Sequence, residues 1–160
     1  MKTRTDLLNF LAEKYNMEHY LEIGVQVPEL NFDRIKIRHK ISVDPDPEAR
    51  AIFCETSDQF FAHWKPVETI EVTSRDSKKR EFLRSDQRFD LIFIDGLHTA
   101  EQVKKDFENA LKILSPNGFI VLHDCNPLKE EHTIVPRPTK TGHWNGDVYK
   151  FVCSMPKYPF

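Results

Sequence analysis

The sequence predicts an α/β protein: a doubly wound, mainly parallel sheet with helices on both faces. Three observations carry this. Short apolar segments alternate along the chain with helical patterns. Two of them, Phe89–Asp95 (FDLIFID) and Phe119–Leu122 (FIVL), are the near-continuous apolar runs of strands buried on both faces. Gly24, and Asp44 ahead of two prolines, stop two further segments where such strands end. The 160 residues suffice for one domain, with an N-terminal helix over 1–16, a core over 19–126 and a loop with a short C-terminal helix over 127–160.

Taken in order, Leu7, Leu8, Leu11 and Tyr15 recur at helical spacing, with Thr5 or Asp6 placed to cap the start, which predicts a helix to about Tyr15. His19–Gly24 (HYLEIG) alternates apolar positions and stops at glycine, and Lys40–Asp44 (KISVD) is stopped by Pro45 and Pro47. Pro28–His39 between them reads as a short helix. Ser57–Trp64 (SDQFFAHW) reads as another, and either Ala51–Cys54 or Val67–Thr73 fills the third-strand position, ahead of the charged run Arg75–Arg84. Thr99–Leu114 places Val103, Phe107, Leu111 and Leu114 on one helical face, followed by a turn at SPNG and the strand FIVL. The tail from Pro127 carries prolines and no clear strand, with a short helix near Asp147–Cys153.

Composition narrows the function classes. Charged residues make up 30% and hydrophobic residues 39%, and 12 Phe, 2 Trp and 4 Tyr supply a core, which excludes a disordered chain. A balance of 23 basic against 25 acidic residues offers no basic field for a phosphate backbone, so no nucleic-acid partner is expected. No apolar run approaches a membrane span and the N-terminus lacks a signal-peptide centre, so a cytoplasmic protein without a membrane partner is expected. Three cysteines without CxxC spacing suit a reducing compartment.

In such sheets ligands bind beyond the carboxyl ends of the strands, which directs attention to the polar residues there. Glu22 and Gly24 close the first strand. Asp44 closes the second, twenty residues after Gly24, a spacing at which an acidic side chain accepts ribose hydroxyls; the competing reading makes Gly24 a turn and Asp44 a cap. The next apolar strand ends in Asp95-Gly96-Leu97-His98 and the last in His123-Asp124-Cys125-Asn126, clusters that adjacent parallel strands bring to roughly 5 Å. Asp95 and Asp124, completed by Asn126, water or substrate, suit a divalent cation such as Mg²⁺, Mn²⁺ or Ca²⁺, or they position a base. The plainer alternative has Asp95 capping the helix near Thr99, His98 satisfying a loop carbonyl and His123 packed at its strand end.

Together, YLEIGV, SVDPDP, TSDQFF, FDLIFIDGLHTAEQVKKDFENALKILSPNGFIVLHDCNP and WNGDVYKF resemble the class I S-adenosylmethionine-dependent methyltransferase superfamily, and within it the small bacterial group called methyltransferase domain 24. The resemblance covers most of Tyr20–Phe151 and implies a Rossmann-like fold. It implies that Glu22 and Gly24 lie beside the methionine and ribose parts of S-adenosylmethionine, that Asp44 binds the ribose, and that Ser57 and Asp58, or else Ser74 and Asp76, lie near the adenine. Asp95 is then at the methyl-transfer site, Asp95 and Asp124 are candidate magnesium ligands, and His98 is the candidate base for a substrate hydroxyl.

The chain departs from that family at three places, one of them extra sequence from about Lys65 to Arg88 between TSDQFF and FDLIFID. EIGVQVPEL lacks the usual further glycines, and nothing after Val152 resembles the family's closing pair of strands, so the expected sheet lacks that pair and an exposed edge makes a homodimer an expectation. The leading expectation is methyl transfer to a small-molecule or sugar hydroxyl. A nucleoside-binding or interaction module without turnover is the alternative. A nicotinamide-dependent oxidoreductase ranks lower because the G-x-G-x-x-G pattern is missing.

Overall fold

The computed structural model describes residues 3–64, 69–73, 80–84, 88–139 and 142–155. The order along the chain is α1 (Arg4–Lys14), β1 (His19–Ile23), β2 (His39–Val43), α2 (Ser57–His63), β3 (Thr69–Thr73), β4 (Arg80–Arg84), β5 (Phe89–Ile94), α3 (Ala100–Ile113), β6 (Leu114–Leu122) and α4 (Val148–Ser154). Four strands form one sheet in the order β2-β1-β5-β6, every pair parallel. The chain is thus a Rossmann-like α/β domain, as its apolar runs predict.

Period-two alternation divides the sheet into two faces. Leu21, Ile23, Ile41, Val43, Ile92 and Ile94 pack with Phe60 and Trp64 at α2, with Val103, Phe107 and Ala110 of α3, and with Val148 and Phe151 of α4. Tyr20, Leu91 and Phe93 on the other face pack with Leu8 and Ala12 of α1 and with Met17, Phe32, Ile35 and Ile37. Full burial of each such side chain contributes roughly 1.5–3 kcal/mol, so the two layers lock the sheet from both sides.

The third-strand position is filled by the first of the two candidates, and only as a single bridge. Phe53 pairs parallel with Val43; its N–H donates to Ser42 O at 2.9 Å and its carbonyl accepts from Asp44 N at 3.1 Å. Thr69–Thr73 instead pairs antiparallel with Arg80–Arg84 in a separate two-stranded sheet, so part of the charged run is itself a strand. Ser74 and Asp76, like Val67, lie outside the described residues.

Other details differ from the sequence reading for local reasons. The cap of α1 is Thr3, which accepts from Asp6 N while the Asp6 side chain accepts from Thr3 N, so Thr5 is free to bury its hydroxyl against Asn31. Pro28–His39 forms two 3₁₀ turns, Pro28–Leu30 and Phe32–Arg34, because Asn31 between them leaves helical geometry and turns its amide inward to Glu22. The SPNG segment lies within β6 as a bulge, with Phe89 paired to Leu114 and Leu91 to Phe119, and with Asn117 at φ 66°. Among the described residues no strand follows β6, and no helix is long and apolar enough to cross a membrane.

Candidate active site

The carboxyl ends of β1, β5 and β6 come together through tight backbone packing. Gly24 has φ +84°, and a Cβ there would sit 2.2 Å from the carbonyl oxygen of Asp95, so only glycine lets the chain leave β1 against the end of β5. Asp95 N donates to Ile23 O at 2.8 Å and His123 N to Ile94 O at 3.0 Å, which holds the Asp95 and His123-Asp124 corners side by side. Asp124 itself turns with φ 54°.

Four titratable side chains meet there. His98 Nδ1 lies 3.1 Å from Asp124 Oδ2 and 3.2 Å from the carbonyl of Trp144, while its Nε2 is 3.5 Å from Asp95 Oδ1. His123 Nδ1 lies 3.0 Å from Asp95 Oδ1 and 3.1 Å from Asp124 Oδ2, yet it is buried off the line of any hydrogen bond. Arg4, from the first turn of α1, donates to Asp95 Oδ2 at 2.5 Å.

These neighbours set the charge states. Burial pushes Asp95 up, but His123, His98 and Arg4 outweigh it and hold the carboxyl below its ordinary value. Asp124 behaves likewise, lowered mainly by His123 and His98 against burial. Burial pushes His98 down and is overcome by Asp95, Asp124 and the Trp144 carbonyl, so the imidazole is raised. Asp124 and then Asp95 raise His123 to about 9. A histidine clasped by two carboxylates is favoured as the imidazolium in a fixed orientation, and it accepts a proton only above its raised value.

The segment after β6 folds back over this cluster. Trp144 stacks on His98 with ring centroids 5.0 Å apart. Gly146, at φ +61°, packs so closely that a Cβ would lie 1.8 Å from the carbonyl of His98. Asn145 donates to Asp124 Oδ1 at 2.6 Å. Asp147 stands just before α4, but its side chain accepts from none of that helix's backbone N–H groups; Lys150 Nζ donates to its Oδ2 at 3.1 Å, and its Oδ1 accepts from Ala100 N at 2.6 Å and so caps α3, whose own cap Thr99 accepts from Gln102 N. Capping of α3 therefore falls to Thr99 and Asp147, and Asp95 is left facing the histidines. A pocket of about 240 Å³ beyond Trp144 is lined by His132, Arg137, His143 and Trp144. A larger groove, about 510 Å³, runs past Met17, Lys36, Arg38 and His39 at the amino ends of the strands, remote from these titratable groups.

The remaining expected residues lie apart from that cluster. Glu22 is 1% exposed and accepts from Tyr20 Oη at 2.6 Å and Asn31 Nδ2 at 3.0 Å; burial raises its carboxyl to about 7. Asp44 accepts from Val25 N, Gln26 N and Asp46 N at 2.8, 3.0 and 2.9 Å, tying the loop after β1 to the end of β2. Ser57 and Asp58, at the start of α2, receive hydrogen bonds from Gln102 of α3 at 3.3 and 3.0 Å. Asn126 is exposed, and the amide that meets Asp124 is that of Asn145. Arg4 and Asn145 were not among the residues the sequence singled out for chemistry; His123 was marked there by the HD pair ending the last apolar strand.

The donors here fit a divalent cation. Asp95, His98 and Asp124 each present a ligand atom within 4.8 Å of the others, and His123 Nδ1 and Asn145 Oδ1 are buried polar atoms without hydrogen-bond partners.

A parallel Rossmann-like sheet with a polar cluster beyond its carboxyl ends is an architecture that places ligands at those strand ends. The profile of the methyltransferase domain family matches residues 29–125, more than half of the chain, from the first 3₁₀ turn to the corner after β6. The chain belongs to that family. No curated protein matches it.

Proposed function

We propose that the protein transfers a methyl group from S-adenosylmethionine to a hydroxyl of a small molecule or sugar. One observation carries this reading: the family match includes both halves of the cluster, Asp95-His98 and Asp124. Methyl transfer from a sulfonium is an in-line displacement, so alignment of donor and acceptor and removal of the hydroxyl proton are the main tasks. His98 takes that proton at Nε2, because Nδ1 faces two acceptors, the Asp124 carboxylate and the Trp144 carbonyl, and so carries the N–H that orients the ring. Asp95 and Asp124 would hold a divalent cation, which would supply a positive charge that lowers the pKa of a hydroxyl beside it. Gly24 and Asp44 border the donor, and the acceptor sits beside His98, whose ring is held by the stacked Trp144.

A second reading, a nucleoside-binding module without turnover, is favoured by the loop after β1, where EIGVQVPEL lacks the further glycines of the family. Isothermal titration with S-adenosylmethionine and S-adenosylhomocysteine, with and without Mg²⁺ or Mn²⁺, tests the donor site in the protein and in an Asp44→Ala variant. Micromolar binding followed by methylation in a hydroxyl-acceptor screen supports the enzyme; binding without turnover for any acceptor supports the module, and no binding refutes both.

A further inference from the structure

The inference concerns Arg4 and rests on the donor reading above. Arg4 lies outside the segment that matches the family, which begins at residue 29. Its guanidinium reaches the carboxyl ends of the strands from the first turn of α1. There it lies 5.9 Å from the centre of the Phe93 ring and donates to Asp95 Oδ2 at 2.5 Å. Its side chain is 31% exposed, and among the described residues this is its one hydrogen bond.

A guanidinium carries five N–H donors in a planar fork, so one bond to Asp95 leaves an edge able to take a second carboxylate in bidentate fashion. Asp95 does not neutralise Arg4 fully, because the same carboxylate also faces His98 and His123. The spare edge is held in a partly desolvated position, where a charge-assisted pair is worth more than at the surface. Gly24 lets the backbone of the loop after β1 lie directly against Asp95, where a Cβ would meet the Asp95 carbonyl oxygen at 2.2 Å.

We propose that Arg4 anchors the carboxylate of the donor's amino-acid part. The site thereby selects sulfonium nucleosides that carry an α-amino acid over those that lack the carboxylate. Arg4 is a binding residue with no part in proton transfer.

The test is titration of the full chain with S-adenosylhomocysteine, with its decarboxylated analogue S-adenosyl-3-thiopropylamine and with 5′-methylthioadenosine, repeated for Arg4→Gln and Arg4→Lys, with thermal melts of each. The expected result is a preference of wild type for S-adenosylhomocysteine over the decarboxylated analogue by about tenfold or more. Arg4→Gln is expected to lose about tenfold for S-adenosylhomocysteine and under about twofold for the other two ligands, and Arg4→Lys to fall between. Equal wild-type affinity for the carboxylated and decarboxylated ligands overturns the inference and leaves the donor reading standing. So does a loss in Arg4→Gln that is the same for all three ligands, the result of a purely structural role through Asp95. If Arg4→Gln does not fold, the wild-type series and Arg4→Lys decide by the same criteria, and wild type that binds none of the ligands overturns inference and reading together.

Discussion

Replacing Glu22 by glutamine is expected to stabilise the protein above neutral pH and to do little in acid. Glu22 is buried under the sheet with Tyr20 and Asn31 as its hydrogen-bond donors, and burial raises its carboxyl from an ordinary 4.5 to about 7. A raised acid binds its proton more tightly in the folded chain than in the unfolded one, so stability falls as pH rises between those two values and is lowest above the folded one. At about 1.4 kcal/mol per pH unit, the interval from 4.5 to about 7 amounts to about 3 kcal/mol of destabilisation at alkaline pH. Glutamine keeps an acceptor for Tyr20 and Asn31 and has no charge to desolvate. Urea denaturation of both proteins from about pH 5 to about pH 8.5 should therefore show the variant's advantage growing by roughly 2–3 kcal/mol, nearly all of it by about pH 7.5. An advantage that is constant across that range, or a variant less stable than wild type at alkaline pH, would show that Glu22 is ionised in the fold without cost and would falsify the desolvation argument.

Other perturbations test the site and its supports. Gly24→Ala and Gly146→Ala each place a Cβ within 2.2 Å of a backbone carbonyl at positive φ, and each should cost about 2–4 kcal/mol or more in urea denaturation. Asp147→Ala removes the distant cap from α3 and should cost about 1 kcal/mol, with faster amide exchange confined to the first turn of that helix. His98→Gln should lower methyl transfer by about 10²–10⁴-fold while leaving S-adenosylhomocysteine affinity within about threefold; parallel losses in both would refute a proton-transfer role. Because its neighbours raise His98, the rising limb of the pH–rate profile should lie above an ordinary 6.5, and Asp124→Asn should move it down. A profile unmoved by Asp124→Asn would assign the limb to another group.

Much of the fold was legible because its signals are local. The runs FDLIFID and FIVL and the face formed by Val103 and Phe107 lie in β5, β6 and α3, within a residue or two of their predicted bounds except at the start of β6. Pattern reading failed where a side chain left its local role for a remote partner. Asn31 abandons helix geometry to reach Glu22, and Asp147, just before its own helix, caps another 47 residues earlier in the chain. The same limit governs the candidate site. Asp95, His98 and Asp124 could be read from strand ends alone, whereas Arg4, Asn145 and Trp144 join them only through tertiary packing that no spacing announces.

The corner at β5 and β6 draws on segments far apart in the sequence, on Arg4 from one side and on Asn145, Gly146 and Asp147 from the other. Such contacts have high sequence separation, so their loop-closure entropy is met late in folding, after the sheet has condensed. The sheet can then be complete while His98 still lacks the stacked Trp144 and α3 still lacks its cap from Asp147. A folding intermediate of this kind would hold the strand ends in place with the imidazole not yet oriented.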